Sequence, residues 1–345
     1  MKAAPPAGGV LAWWRRVVRY ALRGGHPDGP EEVPAWALCV PWRIWRLPKR
    51  PDGRSFKDAY AGRHPPIVRW LFPFRLLYLA FLFAFNHDEA IRSFRRATEL
   101  DPDCAMAWWG IAYANGPHIN NPVVPEAREA EAYDAAQRAV RLAASLDDGA
   151  DRALIGAVTT RYASSPPADR VALDAAFAAA MGEVRARFPN DGDVGALYAE
   201  SLMDLHPWDL WHHDGTAKEW TPPIVALLEE VLEAHPQHPL ALHLYIHTVE
   251  ASAEPGRADV AAERLRDLMP GLGHMVHMPS HIDVRRGRWR EAIIANTKAI
   301  EADRAYREAA LVPPDFYRLY MSHNHHMKAY AAMMIGQSET AMRSI

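Results

Sequence analysis

Apolar and small residues recur at helical spacing along most of the chain. An apolar stretch runs from Ile67 to Phe85, and in the segment HDEAIRSFRRATELDP that follows, Ala90, Phe94 and Ala97 fall three and four positions apart. No stretch alternates apolar and polar residues with period two for long enough to indicate a sheet. The pattern therefore predicts an all-α protein.

The helical pattern repeats with a period of 34 residues, the distance between Pro236 and Pro270. When each unit is numbered so that its closing proline takes position 32, Gly287 and Gly336 both take position 15 of later units. Further helix pairs at looser spacing are predicted at 104–116 with 126–145, 148–163 with 169–188, and 191–205 with 221–235. Since stacked helix pairs of this period form solenoids, we expect an α-solenoid of about six or seven helix pairs. The last pair is expected to be truncated at Ile345, because a solenoid needs a polar cap.

Two longer signatures stand out within this pattern. They read FNHDEAIRSFRRATELDPDCAMAWWGIAYANGP and GHMVHMPSHIDVRRGRWREAIIANTKAIEAD. Together they resemble one family of bacterial tetratricopeptide-repeat (TPR) proteins, and the resemblance covers about residues 76–345. It implies a TPR solenoid whose first helices line a concave, peptide-binding groove, and it implies no established activity.

Charge divides the chain into two regions. The net charge of −3 combines +9 in residues 1–86 with −12 in the remainder. We expect residues 1–68, which are rich in Pro and Trp, to form a basic and poorly ordered leader, and residues 69–345 to form the helical repeat domain. The Arg and Trp residues of the leader leave contact with a membrane surface open. The acidic balance of the repeat domain argues against nucleic-acid binding there.

Several classes of protein are excluded or disfavoured by what the sequence lacks. The apolar core VLAWW is too short for a secretory signal, so a cytoplasmic protein is the default expectation. The stretch at 67–85 contains two arginines and a proline, which favours a buried helix over a membrane span. Two cysteines exclude a disulfide scaffold and a thiolate zinc cluster. No nucleotide-binding loop, serine-hydrolase elbow or H-E-x-x-H motif is present.

The most informative feature is the placement of the histidines, of which there are 17. His243 and His247 take positions 5 and 9 of the unit that begins at Pro239. His277 and His281 take the same two positions one period later. Residues at positions 5 and 9 lie on one face of a helix, so the two pairs are predicted to face the same groove.

A third set of histidines extends this arrangement. His274 takes position 2 of its unit, and in the last unit His323 and His326 take positions 2 and 5. Tyr330 stands at position 9 of that last unit. Because positions 2, 5 and 9 share one helix face, seven imidazoles from three successive units are predicted to line one groove.

Imidazole and carboxylate ligands without thiolate favour a transition metal such as Zn, Cu, Ni or Fe over Mg or Ca. The predicted primary ligands are His243, His247, His277 and His281. The predicted second site or outer shell consists of His274, His323 and His326. Glu250 is a candidate carboxylate ligand or general base, and Glu200 at position 9 of an earlier unit is a further candidate carboxylate.

Two other interpretations of the groove stay open. One is a scaffold that binds a peptide or protein without metal, with imidazoles as hydrogen-bonding groups. The other is a metal-dependent hydrolase or oxidoreductase that uses the same cluster, with a two-histidine, one-carboxylate set suiting non-haem iron.

Other histidines have less specific predictions. The loop HPWDLWHHDGTAKEW, with His206, His212 and His213, is expected either to cover the groove as a lid or to pack as an aromatic plug. His118 is a candidate outer-shell residue, and His87 is expected to cap a helix locally.

Overall fold

The computed structural model describes residues 79–167, 169–310 and 315–345. Within them the chain forms fourteen α-helices and no β-strand, which confirms the predicted all-α, solenoid-like fold. The predicted leader at 1–68 and most of the apolar stretch lie outside the described residues. The end of that stretch, residues 79–83, is helical. In the described ranges no helix has both the length and the apolarity that crossing a bilayer would require.

The helices follow one another in packed neighbouring pairs. They are α1 (His87–Leu100), α2 (Ala105–Asn115), α3 (Glu126–Ala143), α4 (Ala150–Val158), α5 (Val171–Arg187), α6 (Gly192–Met203), α7 (Thr221–Ala234), α8 (Pro239–Val249), α9 (Asp259–Leu265), α10 (Gly273–His277), α11 (Pro279–Arg285), α12 (Trp289–Ala309), α13 (Arg318–Met334) and α14 (Ser338–Met342).

The three loosely spaced helix pairs predicted between 104 and 235 are present as α2 to α7. One of them is shorter than predicted, because α4 ends at Val158 and a 3₁₀ turn, Thr159–Arg161, follows. In that turn the hydroxyl groups of Thr159 and Thr160 donate to backbone carbonyls three residues earlier. Such local bonds compete with the regular helical ladder.

Helix α1 buries the small–aromatic–small face that the sequence predicts, with Ala90, Phe94 and Ala97 inside the core. Its N-cap is Asn86, whose side-chain oxygen accepts a hydrogen bond from the N–H of Glu89 at 3.3 Å. The prediction that His87 caps this helix is therefore wrong. The short amide of the preceding residue reaches the free N–H groups, and His87 is buried instead.

The turns that join the helices of the last two units have the same backbone conformation. Gly287, between α11 and α12, has a φ of 70°, and Gly336, between α13 and α14, has a φ of 72°. Both glycines take position 15, and this left-handed conformation favours glycine because a Cβ is disfavoured there. The two turns, 49 residues apart, therefore share one backbone conformation at the same predicted position of their units.

One first helix of a unit is divided. Helices α10 and α11 meet at Met278, whose backbone keeps right-handed helical angles. Pro279 follows it and supplies no N–H for the helical ladder. Because the backbone direction is nevertheless kept, His277 and His281 stay on one face across the division, and their ring centroids lie 4.7 Å apart.

Candidate metal centre

Six histidines from the last three units meet in two groups of three. Triad A consists of His243 and His247 on α8 and His274 on α10, and triad B consists of His277 on α10, His281 on α11 and His323 on α13. In each triad the three residues offer ligand atoms that lie within 4.8 Å of one another. A third such group, His247, Glu250 and His281, connects the two triads. Each of these groups could hold a metal ion.

The two triads follow one rule in the repeat. Each takes the histidines at positions 5 and 9 of one unit and the histidine at position 2 of the next. The predicted primary set of four is therefore divided between two sites rather than gathered around one point. His274 and His323, which we had expected in a second site or outer shell, complete the two triads.

The triads adjoin each other through their rings. The ring centroids of His247 and His281 lie 5.3 Å apart, and those of His274 and His277 lie 5.9 Å apart. The six imidazoles thus form one continuous cluster across neighbouring helices.

In triad A the hydrogen bonds orient two of the three rings. Nδ1 of His243 lies 2.8 Å from the carbonyl oxygen of Phe83, and Nδ1 of His247 lies 3.0 Å from Oε1 of Glu250. Both oxygens accept only, so each Nδ1 carries the hydrogen and each Nε2 carries a lone pair. Nε2 of His243 faces Nε2 of His274 at 3.2 Å. Nε2 of His247 is buried without a hydrogen-bond partner.

In triad B the same arrangement recurs. Nδ1 of His277 donates to Oδ1 of Asn296 at 2.7 Å, and the amide of Asn296 is oriented by its own bond to the carbonyl of Ala292 at 2.8 Å. Nδ1 of His281 donates to Oε2 of Glu250 at 2.6 Å. The two remaining nitrogens, Nε2 of His277 and Nε2 of His281, face each other at 2.8 Å.

This contact has a chemical consequence. With both Nδ1 atoms protonated, the two neutral Nε2 atoms point their lone pairs at each other. This contact is repulsive unless a hydrogen ion or a metal cation is shared between them. Metal-binding histidines typically donate the other ring N–H to a carboxylate or carbonyl group in this way. The geometry of triad B is therefore compatible with a pair of metal ligands.

Glu250 orients both triads at once, because its two oxygens accept from His247 and His281. Burial alone would raise the pKa of Glu250, but the two imidazoles beside it lower that pKa well below its usual range. The carboxylate is thus ionised and occupied by two hydrogen bonds. Glu250 thus lies where it orients two rings, and its predicted role as a ligand or a general base stays a prediction.

Five of the six imidazoles in the cluster are held in the neutral form that binds metals. Burial, reinforced by the neighbouring rings, lowers the pKa of His243, His274 and His277 well below the usual value. Burial also lowers the pKa of His247, although Glu250 opposes the shift. The same cause lowers the pKa of His323 to about 4.

Two predicted site residues lie outside the three groups. His326 is exposed, with its ring centroid 6.1 Å from that of His323. It takes position 5 of the last unit, where position 9 is Tyr330 instead of a second histidine. Glu200 is buried and accepts a hydrogen bond from the hydroxyl of Tyr113 at 2.8 Å. Burial raises the pKa of Glu200 to about 7.

The aromatic loop after α6, predicted to be either a lid or a plug, packs several of its rings inward and leaves one ring beside triad A. Trp211 donates its indole N–H to the carbonyl of Thr248 at 2.6 Å, and His206 stacks on Trp220 with centroids 3.8 Å apart, so these rings pack as a plug. Trp208 is 55% exposed, and its ring stands edge-on to that of His247 at 5.1 Å. His212 and His213 are exposed.

A further pair of buried imidazoles lies beside triad A. The rings of His87 and His118 are 4.3 Å apart, and Phe85 lies between His118 and His243, with centroids 4.7 and 4.4 Å away. His118 therefore contacts the centre through a phenyl ring and makes no direct hydrogen bond to a triad nitrogen.

Asn296 is the site residue that the sequence reasoning missed. It takes position 24 of its unit, the position at which the α1 unit has Phe94. The sequence did contain a signal for Asn296, because a polar residue there replaces the aromatic residue expected in the core. A fully buried amide needs hydrogen-bond partners. The Phe83 carbonyl offered no signal, since every residue has one.

Comparison with known proteins adds no assignment. The chain matches no family model and no curated protein at a significant level of similarity. The TPR family assignment therefore stays a prediction. Met275 and Met278, whose thioethers would suit Cu(I), are fully buried in the core.

Proposed function

We propose that this protein is a TPR-type helical-repeat protein that binds a transition metal ion at triad B. The observation that carries the proposal is the 2.8 Å contact between Nε2 of His277 and Nε2 of His281. Asn296 and Glu250 hold the opposite nitrogens of these rings as donors, and a bound cation turns a repulsive contact into two favourable bonds.

The ligand chemistry sets the class of metal. Neutral imidazole nitrogens suit Zn, Cu, Ni or Fe, whereas Mg and Ca prefer oxygen ligands. We expect Zn²⁺ or Cu²⁺ to bind most tightly, because all three groups in triad B are nitrogen donors.

A second candidate function is metal-dependent hydrolysis or oxidation. Three imidazoles leave at least one coordination position for water or a substrate, as in catalytic zinc sites. His281 and His323 are partly exposed, so this position is open to solute. An ion held there by His277, His281 and His323 would lower the pKa of bound water and would supply a nucleophile at neutral pH.

Elemental analysis of the natively purified protein tests the proposal. We expect at least one transition metal ion per chain, and we expect the His277→Ala/His281→Ala double variant to lose it. His326→Ala is the matched control, because this exposed histidine lies outside triad B, and it should retain the metal.

A wild-type content below about 0.2 ions per chain, unchanged by the double substitution and by prior incubation with Zn²⁺, Cu²⁺ or Fe²⁺, would contradict metal binding. That result would favour a metal-free groove that binds a polar peptide through the imidazoles. Binding of such a peptide would then be sought in the apoprotein and in the same double variant.

A further inference from the structure

Triad A uses the same register positions as triad B. The triads share no residue, and each joins positions 5 and 9 of one unit to position 2 of the next. Successive units are related by the same displacement along a solenoid. A geometry that binds an ion in one unit is therefore presented again one unit earlier.

The hydrogen bonds in triad A also prepare it for a cation. Nδ1 of His243 donates its hydrogen to the carbonyl of Phe83, and Nδ1 of His247 donates its hydrogen to Glu250. Both Nε2 atoms consequently present lone pairs. That of His247 has no hydrogen-bond partner although the side chain is only 2% exposed.

His274 completes the set from the next unit. Its Nε2 lies 3.2 Å from Nε2 of His243, and its Nδ1 is buried without a partner. Without an ion, Nε2 of His274 donates its hydrogen to the lone pair on Nε2 of His243. Because no protein oxygen fixes the tautomer of this ring, the hydrogen can move to Nδ1 and leave Nε2 as a lone-pair donor to a cation.

A single ion between the triads is the competing arrangement, with His247, Glu250 and His281 as ligands. In this group the nitrogens that face Glu250 are Nδ1 of both rings, at 3.0 and 2.6 Å. Both are hydrogen-bond donors to an ionised carboxylate. An ion there would have to replace two short charge-assisted hydrogen bonds, so the two triads are the better sites.

We propose that triad A binds a second transition metal ion, so that the centre holds two ions oriented by one carboxylate, Glu250. This inference rests on the proposed function of triad B. Each ion keeps three imidazole ligands and at least one open coordination position.

The test is a Zn²⁺ titration of the full-length apoprotein by calorimetry, with elemental analysis after gel filtration. We expect two ions per wild-type chain. His274→Ala and His323→Ala form a matched pair, because both residues take position 2 and neither contacts Glu250. Each variant should bind one ion, and the double variant should bind none tightly. His326→Ala should bind two.

The other outcomes separate the two proposals. One ion per wild-type chain, lost in His323→Ala and kept in His274→Ala, would overturn the second ion and leave the proposed function standing. One ion kept in both variants but lost in Glu250→Ala would overturn both triads in favour of the site between them. The absence of any bound ion would overturn both proposals.

If a variant fails to fold, the number of ions bound per wild-type chain still distinguishes one ion from two. Far-UV circular dichroism identifies such a failure. His247→Ala then replaces His274→Ala as the triad A variant, since the same single ion should be lost.

Discussion

Triads A and B use the same repeat positions, yet they differ in access to solvent. The residues of triad A, His243, His247 and His274, are 0%, 4% and 1% exposed. In triad B only His277 is fully buried, and His281 and His323 are partly exposed. The repeat therefore determines which side chains converge, and the neighbouring segments determine how open each site is.

The two triads also differ in what orients their position-5 histidine. His243 donates to the backbone carbonyl of Phe83, whereas His277 donates to the side chain of Asn296. A side-chain acceptor can be removed by substitution and a backbone carbonyl cannot. The position-5 histidine of triad A is therefore oriented by the backbone, whereas that of triad B is oriented by the side chain of one residue, Asn296.

The largest expected effect comes from removing the group that the triads share. Glu250→Ala deletes the acceptor for both His247 and His281, and loss of such an outer-shell partner lowers metal affinity by about 10–100-fold. We expect this loss at both triads, measured by competition with a chromophoric chelator. Glu254→Ala, at an exposed neighbouring glutamate, is the control. A loss at only one triad would show that Glu250 does not serve both.

The next effect concerns the support beneath triad A. The N–H of His274 donates to the hydroxyl of Tyr317, which donates to Asp303. Burial, opposed by hydrogen bonds from Asn324 and Tyr317, raises the pKa of Asp303 from 3.8 to about 7. The folded state thus holds this proton more tightly than the unfolded state. The contribution is fully present below about pH 4 and is lost as the pH rises to about 7.

Asp303→Asn should remove this pH dependence. The shift corresponds to at most about 4 kcal/mol, so the unfolding free energy of the apoprotein variant, relative to wild type, should rise by up to that amount between pH 4 and pH 7. Urea denaturation at several pH values measures it. Glu301→Gln, at an exposed carboxylate two residues away, should show no such trend. A constant difference across this range would contradict a raised pKa.

A smaller effect should distinguish the triads directly. Asn296→Ala removes the acceptor for His277 and should weaken metal binding at triad B by about 10-fold, with triad A unchanged. Lys298→Ala, an exposed neighbour on α12, serves as control. Zn²⁺ titration of both variants gives the two affinities. Equal weakening of both sites would mean that the triads are not independently supported.

The smallest expected effect on the unfolding free energy is that of Trp208→Gly, which should mainly change the access of solvent to triad A. Trp208 has a φ of 59°, a left-handed conformation that glycine adopts more readily, and its ring covers His247. In wild type we expect excess EDTA to remove the triad B ion first. Trp208→Gly should accelerate release from triad A while the unfolding free energy changes by less than about 1 kcal/mol. Unchanged release from triad A would show that Trp208 does not control access.

Much of the centre could be predicted because the repeat is encoded locally. The 34-residue spacing of His243 with His277 and of His247 with His281 required only the sequence and helix geometry. His274 and His323 were identified by the same register. His326 was predicted with them, but the unit to which it belongs has Tyr330 at position 9, and the ring lies exposed.

The sequence by itself determined the helical fold, the repeat period and the helix face on which the imidazoles lie, because these depend on spacing of a few residues. Only the tertiary structure decided how six histidines divide into two triads and which nitrogen of each ring faces inward. Those outcomes depend on acceptors contributed from distant or neighbouring segments, such as the Phe83 carbonyl 160 residues before His243 and Asn296 on α12. Chain packing brings such groups together, and no local pattern specifies it.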